Sequence, residues 1–293
     1  MKQSAITRVK NLNREEFLNM HLACNLPVVV TGHSGIAEAS SKWGLEYIAS
    51  THDEHNIRVE YYANDDYRPP YVHKEMSLRE YLTIVRDKDE RKKYYLAEMP
   101  MNNVLPNIAH EAPPPAFLVV PGVKLDAKVF IGVDTYSAPH YHPSPREAVL
   151  MQMTGKKKII LCPLKQYRSL YPYGWLSGRA NFSMVKFKSS LENDGYADIE
   201  NLSSLAAKKE RVQYPDIAKV NILECTLNAG EVLFIPQGWF HFAYGIKESI
   251  SVTYFFKGSW KHAPFLFVVR ESLIRNCGIL RRYLNWIFRG FRK

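Results

Sequence analysis

The sequence has no apolar run of the roughly 18 residues a helix needs to cross a bilayer. Its opening stretch, MKQSAITRVKNLNREEF, carries no apolar segment behind its positive charges. Neither a spanning helix nor a secretory leader is therefore expected, and the cytoplasm is the expected compartment. Cysteine is scarce: Cys24, Cys162, Cys225 and Cys277 lie far apart and form no CxxC pair. That argues against a disulfide framework or a zinc ribbon and for reduced, mostly buried thiols. There is no internal repeat and no low-complexity tract, and 46% hydrophobic residues over 293 positions excludes the disordered classes. Acid is lacking at one end in particular. Residues 261–293 hold eight Lys or Arg against the single Glu271, so +7 of the net +10 sits there. The remainder is nearly neutral, and attraction to phosphate or anionic lipid is expected from the tail alone.

Three regions follow from the patterning. Residues 1–115 read as a mixed helix and strand elaboration. Asn13 with Glu16 has capping-box spacing ahead of Phe17, Met20 and His21, and Ser77 with Glu80 repeats that spacing before a second helix. LPVVVTG is a short β-branched run ended by Gly32, and SSKWGLEYIAS predicts another helix. Residues 116–260 consist of short apolar runs between turn signals: AFLVV, AKVFIGV, AVLMQMT, KKIILCPL, ILECTLNAG, EVLFIP and SISVTYFF. Many short strands without intervening helices predict a mainly β fold, an antiparallel barrel or sandwich of jelly-roll type. HEAPPPAF is an extended connection between the two regions. Residues 261–293 form a basic amphipathic tail in which Leu266, Leu273, Leu280 and Ile287 recur every seven residues, with Arg270, Arg275, Arg281 and Arg282 on the remaining faces. Such a helix suits packing on its own barrel or on a twin chain as a homodimer. Its basic and aromatic residues also suit an anionic membrane surface or RNA phosphate.

The chemistry concentrates in PHYHPSPRE. Alternation along a strand puts His140 and His142 on one face, about 7 Å apart along the chain, so both can reach one metal ion. GEVLFIPQGWFHFAYG offers a third ligand, His241, three residues past Gly238. Gly132, His140, His142, Glu147 and Gly155, followed by Gly230, Pro236, Gly238 and His241, resemble the two motifs of the cupin superfamily. Gly245 stands where the second motif usually has asparagine, and the gap from Gly132 to His140 is slightly long. A broader resemblance, from about residue 10 to 260, is to the JmjC-type hydroxylases, which include an asparaginyl hydroxylase and a tRNA wybutosine hydroxylase. It is carried by SSKWGLEYI, KKYYLAE, PHYH, QMTGKKKIILCPLKQYRSLYPY, YPDIAKVNILECTLNAGEVLFIPQGWFHF and SVTYFFKGS.

The resemblance implies a double-stranded β-helix and an Fe(II) oxygenase using 2-oxoglutarate as cosubstrate. Carried over by position, His140 and His241 are metal ligands. Lys157 pairs with the distal carboxylate of 2-oxoglutarate, and Tyr95 and Ser137 supply hydroxyl groups to the same carboxylate. Thr253 falls where some members have an asparagine facing the cosubstrate. The departure is His142, which stands at the family's aspartate and removes one negative charge from the metal. The loop after it is longer by two residues and includes Pro143 and Pro145, so Glu147 is a candidate fourth ligand, though a solvated pair with Arg146 accounts for it as well. Lys157 could equally be one of three lysines in a wet hairpin turn. Three readings stay open: a three-His 2-oxoglutarate hydroxylase acting on a protein or peptide, a nucleoside or a small molecule; a cupin-type dioxygenase that does not use 2-oxoglutarate; and a JmjC-fold binding module without redox chemistry.

Overall fold

The structure is a computed structural model and describes residues 4–51, 56–63, 67–119, 122–143, 145–186, 208–262, 265 and 267–276. Twelve strands follow in chain order: β1 (Ser4–Ala5), β2 (Arg8–Lys10), β3 (Val28–Thr31), β4 (Asn56–Tyr61), β5 (Val72–Ser77), β6 (Tyr94–Pro100), β7 (Asp126–Val133), β8 (Tyr136–His140), β9 (Arg146–Cys162), β10 (Leu223–Asn228), β11 (Val232–Ile235) and β12 (Phe240–Lys257). They pair in the order β2-β3-β11-β9-β12-β7-β6-β4-β5, with β10 joined to β9 and β1, and β8 joined to β12. The fold is a jelly roll built on the two longest strands. β9 and β12 run antiparallel to each other over nearly their whole length. The first half of β9 pairs with β11 and its second half with β10. Likewise β12 pairs first with β8 and then with β7. Each long strand therefore serves two walls of the barrel, and it must bend midway to do so.

Gly155 is the residue that permits the bend. Its φ is +71°, and a Cβ there would lie 1.9 Å from the Glu248 carbonyl oxygen. Two strand backbones approach too closely at this point for any side chain, and the left-handed dihedral adds a second penalty. The ladder slips at the same place: Ile250 faces Thr154 while Ser251 faces Gln152, so Met153 is an extra residue on β9. Such a bulge reverses which alternate residues face inward. Gly155→Ala is expected to destabilise the protein by about 3 kcal/mol or more, from strain plus overpacking. The measurement is the midpoint of urea unfolding, and an unchanged midpoint would refute the close approach.

Three sequence expectations change here. AVLMQMT and KKIILCPL are not two hairpin strands but the two halves of β9, because the glycine bends the chain without reversing it. AFLVV is not a strand: Ala116–Leu118 is a 3₁₀ turn closed by Leu118 N–H donating to the Pro115 carbonyl at 2.8 Å. A short apolar run fits either state, and here Phe117 and Leu118 enter the core from a turn. SSKWGLEYIAS divides into two helices, α1 (Ser34–Lys42) and α2 (Leu45–Thr51), with Trp43 extended between them. The expected capping box at Asn13 is formed in full, and the Ser77 side chain accepts from Glu80 N. α1 and α2 pack with Phe17, Phe117, Val149, Met151 and Phe234 in the largest apolar cluster, on the outer face of the barrel wall. Among the described residues no helix is long and apolar enough to cross a membrane.

Helical residues 267–276 pack on the barrel through Phe267, Arg270 and Glu271, which are buried, while Val269 and Leu273 face outward. Arg270 was expected on an outer face and lies inside because its guanidinium finds hydrogen-bond partners there. Leu280, Ile287 and the other tail positions from 277 onward lie outside the described residues, as does Leu266.

Candidate metal centre

His140 ends β8 and is the direct cross-strand partner of His241 on β12. Facing residues of neighbouring strands present their side chains to the same side. Their ring centroids are accordingly 4.2 Å apart. His142 lies two residues beyond the end of β8, in irregular chain ahead of Pro143. Its ring still turns back to 4.5 Å from that of His241 and 5.6 Å from that of His140. One ring nitrogen from each of the three falls within 4.8 Å of the others. A metal to nitrogen bond of about 2.1 Å spaces adjacent donors roughly 3 Å apart, so small side-chain rotations would suffice to close the group on one divalent ion.

The backbone prepares two of these rings for that role. His140 Nδ1 lies 2.7 Å from the Ala138 carbonyl, and His241 Nδ1 lies 3.2 Å from the Trp239 carbonyl. A carbonyl only accepts, so each Nδ1 carries the proton and each Nε2 keeps its lone pair for a metal. Burial lowers the pKa of all three rings below the ordinary histidine value, and mutual repulsion adds to this at His142 and His241. They are neutral at physiological pH, as ligation requires. Phe182 stacks on His140 at 5.1 Å and 19°, and Phe255 meets His142 edge-on at 5.0 Å. The donor set fits a divalent transition metal with open positions on one side.

Glu147 is not part of this group. Arg146, Ala148 and Leu150 line the cavity in front of the histidines, so alternation turns Glu147 to the opposite face of β9. There it is buried, and its carboxylate accepts from Gln237 N at 2.7 Å. Burial raises its pKa to about 7. The solvated pair with Arg146 does not form either, since Arg146 binds Glu98 at 2.8 Å. Glu147 thus ties the start of β9 to the turn that leads into His241.

Lys157 comes to the same cavity as the three histidines, a space of about 280 Å³. The bulge at Met153 explains why: residues 148 and 150 point inward before it, and 157 and 159 after it. Of the three consecutive lysines, Lys156 is exposed, Lys158 is buried on the opposite face of β9 with its ammonium 3.5 Å from Glu224, and Lys157 is buried on the cavity face. The Lys157 ammonium donates to the Ser251 hydroxyl and lies 5.6 Å from the Phe130 ring. No carboxylate pairs with it among the described residues, and burial alone lowers its pKa to about 7. Tyr95, Ser137 and Thr253 line the same space. Every proposed site residue except Glu147 therefore opens onto one cavity.

Sequence reasoning missed the other wall. Glu60 and Tyr62 come from β4 and its end, Glu98 from β6 and Tyr71 from the start of β5, and all four line the cavity. Burial raises the Glu60 carboxyl to about 7, and the Tyr62 hydroxyl donates to it. Only the pairing of β4 with β6, and of β6 with β7, brings them there, and nothing in their local sequence signals it.

A family model described as a cupin-like domain matches residues 14–262. Among curated proteins, the lysine-specific demethylase JMJ30 of Arabidopsis thaliana is 24% identical over 256 residues, covering 85% of this chain and 54% of that protein. The tRNA wybutosine-synthesizing protein 5 of Mus musculus is 24% identical over 282 residues, covering 88% and 78%. The lysine-specific demethylase 8 of Xenopus tropicalis is 23% identical over 261 residues, covering 86% and 53%. The chain thus spans little more than half the length of these two demethylases.

Proposed function

We propose that this chain, which belongs to the cupin-like domain family, is a metal-dependent oxygenase that uses 2-oxoglutarate to hydroxylate its substrate. One observation carries the reading: a buried lysine with no carboxylate partner among the described residues shares a cavity with three neutral, convergent imidazoles. A buried ammonium is costly unless an anion meets it, so the cavity is suited to an anionic occupant. A dicarboxylate satisfies both ends, one at Lys157 and one at the metal. Relatives whose names record a demethylase and a wybutosine-synthesizing protein support oxidative chemistry without choosing the substrate, which could be a protein side chain, a nucleoside or a small molecule.

In this reading His140, His142 and His241 hold Fe(II) through their Nε2 atoms or, for His142, its free ring nitrogen. Lys157 binds the distal carboxylate of 2-oxoglutarate, with the Ser251 hydroxyl fixing its ammonium and Tyr95, Ser137 and Thr253 completing the polar end. When bound, Fe(II) supplies the redox chemistry with O₂ that couples decarboxylation of 2-oxoglutarate to hydroxylation. The apolar walls at Phe130, Phe182 and Phe255 exclude water from that space. Three imidazoles leave the full +2 of the ion uncompensated, and with Lys157 the site favours a dianion more strongly than an aspartate-bearing site would.

Release of succinate from 2-oxoglutarate by the purified chain with Fe(II) is the test, run on the wild type and on His142→Asp. Wild-type turnover is the expected result. Turnover only in the variant would mean a fold that keeps the cavity for binding. Iron uptake without turnover in either would favour a three-His dioxygenase that uses no 2-oxoglutarate.

A further inference from the structure

Alternation sends Tyr141, which lies between His140 and His142, to the outside of the barrel wall, where it is fully buried. What covers it is the helix of residues 267–276. The Tyr141 hydroxyl donates to Glu271 Oε1 at 2.7 Å and accepts from Arg270 Nε at 3.1 Å. The same guanidinium donates through Nη2 to the Ala180 carbonyl. Asn181, next in the chain, holds the Tyr141 backbone from both sides: Tyr141 N–H donates to its carbonyl at 3.1 Å, and its Nδ2 donates to the Tyr141 carbonyl at 3.0 Å. Phe182, one further on, is the ring stacked on His140. Arg270 therefore grips both the residue between two of the imidazoles and the segment that stacks on one of them.

The helix also reaches the third. Phe267 packs on Gly238, where a Cβ would lie 3.0 Å from its ring, and Gly238 begins the turn that delivers His241. Phe240, adjacent to His241, packs on Tyr141 at 5.0 Å, and Tyr141 packs on Phe267 at 5.9 Å. Two buried opposite charges and one aromatic column thus brace both ligand-bearing segments from behind.

We infer that Arg270 and Glu271 are positioning residues for the metal centre, acting through Tyr141, so that docking of the tail helix sets the geometry of the three-His group. The inference rests on the metal reading of that group. Ligand orientation held from outside the coordination sphere is commonly worth about 10- to 100-fold in metal affinity.

Co(II) alone is the probe, with the full chain, reading both affinity and the position of its ligand-field absorption bands. Tyr141→Phe and Arg270→Met are expected to bind at least about tenfold more weakly, with shifted bands. Glu271→Gln keeps an acceptor for the Tyr141 hydroxyl and is expected to stay near wild type. Glu111→Ala serves as the control, since it strips part-buried acceptors from Trp43 and Tyr47, none of which lines the cavity, and should lower thermal stability without moving the bands. Wild-type affinity and bands in Tyr141→Phe and Arg270→Met, both folded by circular dichroism, would overturn the inference, as would an equal shift in Glu111→Ala. A wild type that takes up no Co(II) would overturn the metal reading, and the positioning role with it.

Discussion

Lys157→Met is expected to strengthen the empty protein and to weaken its affinity for a dicarboxylate by orders of magnitude. Burial lowers the Lys157 pKa from the ordinary 10.5 to about 7. The unfolded chain therefore binds this proton more tightly than the folded one. In the wild type, stability is full above the unfolded value, falls as pH drops from 10.5 toward 7, and is lowest below that. The whole shift corresponds to roughly 5 kcal/mol. Methionine, similar in volume and uncharged, removes the penalty. Its gain in unfolding free energy should be about 3 to 5 kcal/mol at pH 6 and should vanish near pH 11. Binding moves the opposite way. Breaking a buried charge pair costs about 3 to 5 kcal/mol, so 2-oxoglutarate affinity should fall roughly 150- to 5000-fold. Urea unfolding at several pH values and calorimetric titration of the metal-loaded protein measure the two effects. A variant that is less stable at pH 6, or that binds 2-oxoglutarate unimpaired, would remove Lys157 from the anion site.

Much of the scaffold was legible because its signals are local. The Asn13 capping box, the β-branched run at Val28–Thr31 and the spacing of His140 and His142 each involve a few neighbouring residues and a single periodicity. Resemblance to a family then placed Lys157, Tyr95, Ser137 and Thr253, which no local pattern could have brought together. What remained hidden depended on a long-range register. The bulge at Met153 decides which of three consecutive lysines enters the barrel, and it exists only where β12 runs beside β9. Glu147 was misplaced for a different reason: its facing follows the alternation of β9, which overrides its proximity in sequence to His142.

The charged residues were the least readable. Arg270 and Glu271 have the sequence appearance of a solvated helix face, and Glu60 that of an ordinary surface acid. Each owes its setting to a partner more than thirty residues away: Tyr141 for the first two, and the joining of β4 and β6 to the barrel wall for Glu60. A charge is read as exposed by default because an unpaired buried one is unstable. The default fails where the fold supplies a partner, or where a ligand is meant to.

His241→Ala is expected to have the larger consequence at the metal. His241 is the central member of the group, with its ring closer to each of the other two than they are to each other. Its Nδ1 is already committed to the Trp239 carbonyl, so no rearrangement of the ring is needed for its Nε2 to bind. Alanine leaves two imidazoles on one short segment. If a multidentate protein site binds a divalent ion with about 10 to 16 kcal/mol, one donor among three or four contributes roughly 3 kcal/mol or more. Metal affinity should therefore drop at least ~100-fold, and succinate release should fall below detection. Stability of the metal-free protein should change little, because burial disfavours the protonated form of all three rings and removing one relieves crowding among them. Metal uptake measured by elemental analysis after dialysis, set beside thermal unfolding of the metal-free chains, separates the two effects. Unchanged uptake in His241→Ala would show that the three rings meet for packing and not for an ion.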